Sequence, residues 1–218
     1  MPIFRLTDEI IFPSPHLAEE DGLLAVGGDL REERILKAYS LGIFPWYSEG
    51  SPILWWSPDP RLVLFPEELH VSRSLRQCIK KGVFDVTVNT AFDQVLRSCA
   101  EAARKDQSGT WITGDMIGAY TRLYHAGHAL SVESWHDGRL VGGLYGVIMG
   151  KVFFGESMFA AMSNASKVAL ATFVRQLKQQ HFMLIDCQVR TGHLVSLGAR
   201  EIPRATFLYI LQQALATP

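Results

Sequence analysis

Val141–Phe159, VGGLYGVIMGKVFFGESMF, is the stretch that decides how this chain folds. Apolar residues rise on either side of Met149-Gly150-Lys151, which predicts two buried strands joined by a tight turn. The second strand reaches Glu156, the only acidic residue between Asp137 and Asp186. A buried carboxylate is costly unless it is paired or working. Taken alone, such a Glu reads as a hydrogen-bonded structural acid. The segment Met183–Arg190, MLIDCQVR, repeats the anomaly with Asp186 and Gln188. A period of two puts that acid and that amide on one face of a strand. Two interior strands that each carry polar groups predict a shared site.

Working outward, Asp137-Gly138 sits between apolar runs and predicts a second hairpin turn. Three antiparallel strands follow: Ala129–Trp135, Leu140–Met149 and Val152–Met158. Helical spacing links Phe92, Val95, Leu96 and Cys99, with Thr90 and Asp93 as a capping box. It also links Met116, Ile117, Tyr120, Leu123 and Tyr124. A further helix is expected over 163–180, capped by Ser163 or Asn164, and a last one after Pro203. The order predicts an α+β domain over 62–218 with a mixed, mostly antiparallel sheet, preceded by a small loop-rich domain over 1–61.

In that first domain, FPSP (12–15), Asp21-Gly22 and Gly27-Gly28-Asp29 read as turns. Asp29 and Glu32 have capping-box spacing before a short helix carrying Ile35, Leu36 and Tyr39, which Gly42 ends. Residues 42–61 hold three of the five tryptophans. Such rings either plug a small annex onto the main body or leave one face free to stack on a base, worth about 1–3 kcal/mol. Both readings stay open at this point.

The formal net charge is −1, so an anionic partner must be met by a local patch. The segment from His70 to Gly82 supplies one in Arg73, Arg76, Lys80 and Lys81, with no acid between Glu68 and Asp85. It reads as a solvated helix face or as a phosphate-backbone contact. Three widely spaced cysteines without CxxC spacing point to a reducing compartment and no structural zinc. His125 and His128 lack a third ligand, so no metal is expected. The N-terminus has no signal-peptide pattern and no run is long enough to span a bilayer, so a cytoplasmic location is expected.

The layout resembles the GNAT acyltransferases, in which a mixed sheet splays between its middle strands and the acyl donor enters the split. A coenzyme A enzyme of that kind needs a glycine-rich turn at the helix that follows. Here Ser157–Lys167 reads SMFAAMSNASK without a glycine, which argues against coenzyme A. No P-loop and no GxSxG elbow is present. Gly142, Gly143 and Gly146 lie inside a strand and are expected to thin a wall for a ligand.

FPWYS (44–48), LWWSPDPR (54–61), TWIT (110–113), VGGLYG, FFGESMF, NASK and LIDCQV together resemble the leucyl/phenylalanyl-tRNA–protein transferases, in order from about Phe12 to Phe207. The resemblance implies transfer of Leu or Phe, and Met less well, from aminoacyl-tRNA to proteins whose N-terminus is Arg or Lys. That would mark them for N-end-rule degradation, with no cofactor and as a monomer. It implies that Trp46 and Trp111 flank the terminal adenosine. Leu144, Met158, Phe173 and Ile185, with Gly155, would form the aminoacyl pocket, Leu144 standing where the family often has Met. Arg73, Arg76, Lys80 and Lys81 fall at the family's tRNA-acceptor patch.

The donor ester is already activated and an α-amine has a pKa of about 7.7–8.0, so orientation is the larger demand on the protein. Gln188 is expected to position the reacting groups, with Asp186 holding its amide. Glu156 is expected to bind the cationic acceptor end or its leaving proton. Two other readings compete: an acyltransferase of this layout with a non-protein acceptor, and a tRNA-binding module that leaves the ester intact.

Overall fold

The quoted hairpin folds as two long strands in the middle of a seven-stranded sheet. The structure, a computed structural model, describes residues 3–102 and 112–217. Its strands are β1 (Phe4–Leu6), β2 (Leu23–Gly27), β3 (Phe44–Pro45), β4 (Leu54–Trp56), β5 (Arg61–Leu64), β6 (Asp85–Val88), β7 (Ala129–His136), β8 (Arg139–Met149), β9 (Val152–Ala160), β10 (Leu184–Gln188) and β11 (Arg200–Ile202). The helices are α1 (Glu32–Ser40), α2 (Arg73–Lys80), α3 (Phe92–Glu101), α4 (Gly114–His125), α5 (Ala165–Gln179), the single turn α6 (Gly192–Val195) and α7 (Arg204–Ala216).

The large sheet runs β11-β5-β10-β9-β8-β7-β6, antiparallel at every pair except β9–β10. It is the mixed, mostly antiparallel sheet expected from the sequence. The segment read as loop-rich holds a second, four-stranded sheet, β1-β2-β4-β3. Its strands have two to five residues, too short to show alternation in sequence. β5 and β11 escaped the sequence reading for the same reason.

Alternation along β9 sorts side chains to two cores. Val152 and Phe154 join the core under α1, α3, α4 and α7, where the small sheet also packs. Phe153 joins the opposite core, under α5 and α2. Each fully buried side chain of this kind contributes about 1.5–3 kcal/mol, against about 1 kcal/mol for a typical cap. The caps indeed differ from expectation while the helices stand. α3 starts after Ala91, with Thr90 outside it and no side-chain cap. Asn164 precedes α5 in a left-handed conformation and does not cap it. Asp29 instead accepts from the Arg31 backbone N–H and the buried Arg34 guanidinium.

The strand glycines open room for the protein's own atoms and not for a ligand. A Cβ on Gly142 would lie 2.5 Å from the Ala165 methyl at the start of α5, and one on Gly143 2.7 Å from the Val132 carbonyl oxygen. At Gly146 it would run into the Phe154 carbonyl oxygen and the Phe153 ring. The expectation of a thinned wall is therefore corrected: close helix–sheet and strand–strand approach demands these glycines.

Candidate active site

Two irregularities face each other where β9 and β10 part. Those strands pair from Leu184↔Val152 to Asp186↔Phe154. On β9, Gly146↔Gly155 is followed by Tyr145↔Ser157, so Glu156 is an extra residue, a β-bulge. The bulge reverses the alternation: beyond it Met158 joins the core that Phe153 joined. On β10 the register with β5 also shifts between Asp186 and Gln188, and Gln188 takes a left-handed φ of 62°. Bulges bend strands and re-aim side chains, and they recur beside active sites. Here they end the β9–β10 ladder and open a cleft of about 720 Å³.

The seam of the cleft is a buried polar network. Gln188 Nε2 donates to Glu156 Oε1 at 2.9 Å. Tyr39 of α1 lies 2.6 Å from Glu156 Oε1 and Tyr120 of α4 lies 2.8 Å from Oε2. The two hydroxyls are 2.6 Å apart. Burial pushes the Glu156 carboxyl up to about 7, against the lowering effect of the tyrosine hydrogen bonds. Burial, then Glu156, holds both phenols well above their usual range.

Below the seam, Asp186 is fully buried and takes a two-pronged contact from Arg61, Nε at 2.8 Å and Nη2 at 2.6 Å. The Arg61 guanidinium is held between the Phe44 and Phe207 rings. Asp186 also accepts from the Gln188 backbone N–H at 2.9 Å. The expected Asp186–amide contact is thus corrected. Asp186 holds the backbone of Gln188, while the side-chain amide belongs to Glu156. The bulge is the reason, because it breaks the parity that put both side chains on one face.

One wall of the cleft is apolar. Leu144 and Met158 are direct partners across β8 and β9, and Ile185, Leu170 and Phe153 join them. Gly155 also lines it. Phe173, expected in the pocket, stands behind that wall and packs edge-on against Phe153 at 4.9 Å. Trp46 lines the opposite side, tilted against Trp56 at 5.8 Å. Trp55 is the plug: it is fully buried, with Nε1 donating to the Gly27 carbonyl. Trp55 thus fits the plug, while Trp46 is the ring of that window that lines the cleft. Trp111 lies outside the described residues.

Cys187 also lines the cleft, but burial, then Asp186, raises its thiol and denies it nucleophile character. His193 lines it too, its imidazole lowered by burial, then by Lys167. Arg73, Arg76, Lys80 and Lys81 are exposed on and just after α2, whose Leu75 is buried against the α5 side. Among the described residues no group of three His, Cys, Asp or Glu is placed to hold a metal ion. No described helix is long and apolar enough to cross a membrane.

Tyr39, Tyr120 and Arg61 escaped the sequence reading. Both tyrosines sat on apolar helical stripes and passed for core. The available signal was that a buried tyrosine hydroxyl needs a partner, and these could find one only in tertiary structure. The site can therefore orient two substrates at a desolvated seam, bind an apolar side chain beside it and move a proton through Glu156.

Comparison with known proteins converges on one group. The leucyl/phenylalanyl-tRNA protein transferase model matches residues 63–212, and the model of that transferase's N-terminal domain matches 28–59. A leucyl/phenylalanyl-tRNA–protein transferase of Syntrophobacter fumaroxidans is 61% identical over 213 residues, covering 98% of this chain and 91% of that one. One of Anaeromyxobacter sp. (strain K) is 59% identical over 218 residues, covering 100% and 94%. Among solved structures, a GCN5-related N-acetyltransferase from Kribbella flavida aligns at TM-score 0.40 and 13% identity, over 76% of this chain and 59% of that one. With the two models together matching most of the chain and the relatives spanning nearly all of it, this protein belongs to the leucyl/phenylalanyl-tRNA protein transferase family.

Proposed function

We propose that the protein moves Leu or Phe, and Met less well, from aminoacyl-tRNA onto the N-terminal Arg or Lys of acceptor proteins, creating an N-end-rule degradation signal, as a monomer in the cytoplasm. Residues 1–61 act as a small domain that supplies Trp46 to a catalytic domain over 62–218. The observation that carries this reading is one cleft with an apolar wall on one side and the Gln188–Glu156 seam on the other.

In this reading Leu144, Met158 and Ile185 hold the aminoacyl side chain, with Phe173 setting the depth from behind. Trp46, with Trp111, stacks on the terminal adenosine. The ester carbonyl lies at the seam, where the Gln188 amide orients it for attack by the acceptor amine. A neutral α-amine is available near pH 7, its pKa being about 7.7–8.0, so holding the reactants in line is the main contribution, on the order of 7–11 kcal/mol in favourable cases. Asp186, clamped by Arg61, fixes the backbone that aims Gln188. Glu156 handles the proton. The basic face of α2 meets the acceptor-stem phosphates.

Mixing the protein with leucyl-tRNA and an Arg-initiated peptide, then weighing the peptide, tests the reading. Extension by one leucine is expected, and a Gly-initiated control should stay unextended. Release of free leucine with no peptide product would sink it. Gln188→Ala should lower the single-turnover rate by about 10²-fold or more while tRNA affinity holds.

A further inference from the structure

The seam network contains more hydrogen bonds than an ionised Glu156 can supply with protons. Three oxygen–oxygen contacts close a ring: Tyr39–Glu156 Oε1 at 2.6 Å, Tyr120–Glu156 Oε2 at 2.8 Å and Tyr39–Tyr120 at 2.6 Å. Each lies within hydroxyl hydrogen-bond range, and each needs one hydrogen. A tyrosine hydroxyl carries one. If both tyrosines donate to a carboxylate, their hydrogens are used and two lone pairs face each other across 2.6 Å. Both phenols are fully buried, so no solvent relieves that contact.

We propose that Tyr39, Tyr120 and Glu156 form a closed ring holding three protons, so that Glu156 rests as a neutral acid and serves as the proton donor to the leaving 3′-oxygen. In the ring Tyr39 donates to Oε1, Tyr120 donates to Tyr39, and Glu156 donates from Oε2 to Tyr120. Oε1 is then the carbonyl oxygen, and it also accepts from Gln188 Nε2 at 2.9 Å. The amide thus fixes which oxygen carries the proton. Tyr39 and Tyr120 are positioning residues, buried behind the acid, while Glu156 itself lines the cleft.

The surrounding groups agree. Asp186 of β10 faces the acid and opposes its ionisation, although Arg61 of β5 neutralises much of that charge at 2.6 Å. Tyr145 of β8 packs edge-on against Tyr120. Burial pushes the Glu156 carboxyl up to about 7, against the lowering effect of the tyrosine hydroxyls. A neutral Glu156 offers no charge to the acceptor's ammonium, so its part is in proton transfer.

This inference rests on the transfer reading above. The amine nitrogen bonds to the ester carbon and the bond from that carbon to the 3′-oxygen breaks. The Glu156 hydroxyl breaks its bond to Tyr120 and gives its proton to the 3′-oxygen in the cleft, and the carboxylate then takes one from the nitrogen. The acid is restored, with no co-reactant.

Four measurements test it. Infrared difference spectra of wild type against Glu156→Gln at neutral pH should show the carbonyl stretch of a protonated carboxylic acid. Absence of that band overturns the proposal. Glutamine mimics the neutral acid, accepting at its oxygen and donating from its nitrogen to Tyr120, so Glu156→Gln should melt no lower than wild type. A clear drop in melting temperature would mean a carboxylate that both tyrosines donate to, and would overturn it. Single-turnover transfer by the same variant should fall by about 10²-fold or more with tRNA affinity kept. Unchanged turnover would remove the donor role. Tyr120→Phe should weaken the acid band's fixed position and shift the pH profile of turnover, and an unmoved profile counts against the ring. Failure of the transfer reading is distinguishable, since wild type would then extend no peptide whatever the spectra show.

Discussion

Gln188 sits in a conformation that L-residues rarely adopt, and the seam is what holds it there. A left-handed backbone on a non-glycine residue costs of order 1–3 kcal/mol. Asp186 accepts its N–H and Glu156 accepts its amide, so both ends are tied. Asp186 in turn depends on Arg61. Arg61→Leu strands a buried carboxylate and should cost about 3–5 kcal/mol in urea unfolding. Removing both charges in Arg61→Leu/Asp186→Leu should recover much of that loss. Glu156 has the opposite character, because its carboxyl is raised from 4.5 to about 7 by burial. Its stabilising share is present below 4.5 and is lost as pH rises through about 7. Wild type should therefore lose on the order of 3 kcal/mol relative to Glu156→Gln between acidic and mildly alkaline pH, by melts across that window. An equal dependence of the two on pH would contradict the raised carboxyl. At this scale the sequence exposed the three polar anomalies, since acids and amides stand out in apolar runs. It hid their partners, since Tyr39, Tyr120 and Arg61 sit 117, 36 and 125 residues away in sequence from Glu156, Glu156 and Asp186.

The elements β8 and β9 were legible because they are long, apolar and bounded by Asp-Gly and Gly-Lys turns. Their bulge was not. A bulge is a mismatch between two strands, and neither strand's own sequence records the register of the other. The glycines show how packing decides between look-alikes. Gly146→Ala forces a methyl into the Phe154 carbonyl and the Phe153 ring, and should destabilise by about 1–3 kcal/mol or more. Gly155→Ala meets nothing closer than 3.6 Å and should fold like wild type. Comparing their urea midpoints tests the assignment, and equal losses would refute it. Phe173 illustrates the same limit. Helical spacing correctly turned it inward, but only packing put Phe153 between it and the cleft.

For the whole molecule, the core that runs under α1, α3, α4 and α7 joins the small sheet to the large one through Leu24, Ile35, Trp55, Tyr120, Phe154 and Phe207. That junction brings Tyr39 of α1 onto the buried seam and Trp46, just past β3, to the cleft built mainly by the large sheet. On the far core α2 offers its cations to solvent. Replacing Arg73, Arg76, Lys80 and Lys81 by Ala should weaken tRNA binding and flatten its salt dependence by about three log units of affinity per log unit of salt. Titrations at several salt concentrations read this directly, and an unchanged slope would place the RNA elsewhere. Turnover at saturating tRNA should hold.

By itself the amino-acid sequence determined the order of the longer strands and helices, the mixed sheet, the polar positions on two interior strands and the family. Periodicity, turn residues and rare motifs are local properties, written along the chain. The closed proton ring, the arginine clamp on Asp186, the opposed bulges and the turning of Trp46 to the cleft were decided only by tertiary structure. Each is a contact between distant segments, whose geometry exists once burial has removed water and forced every polar group to find its partner.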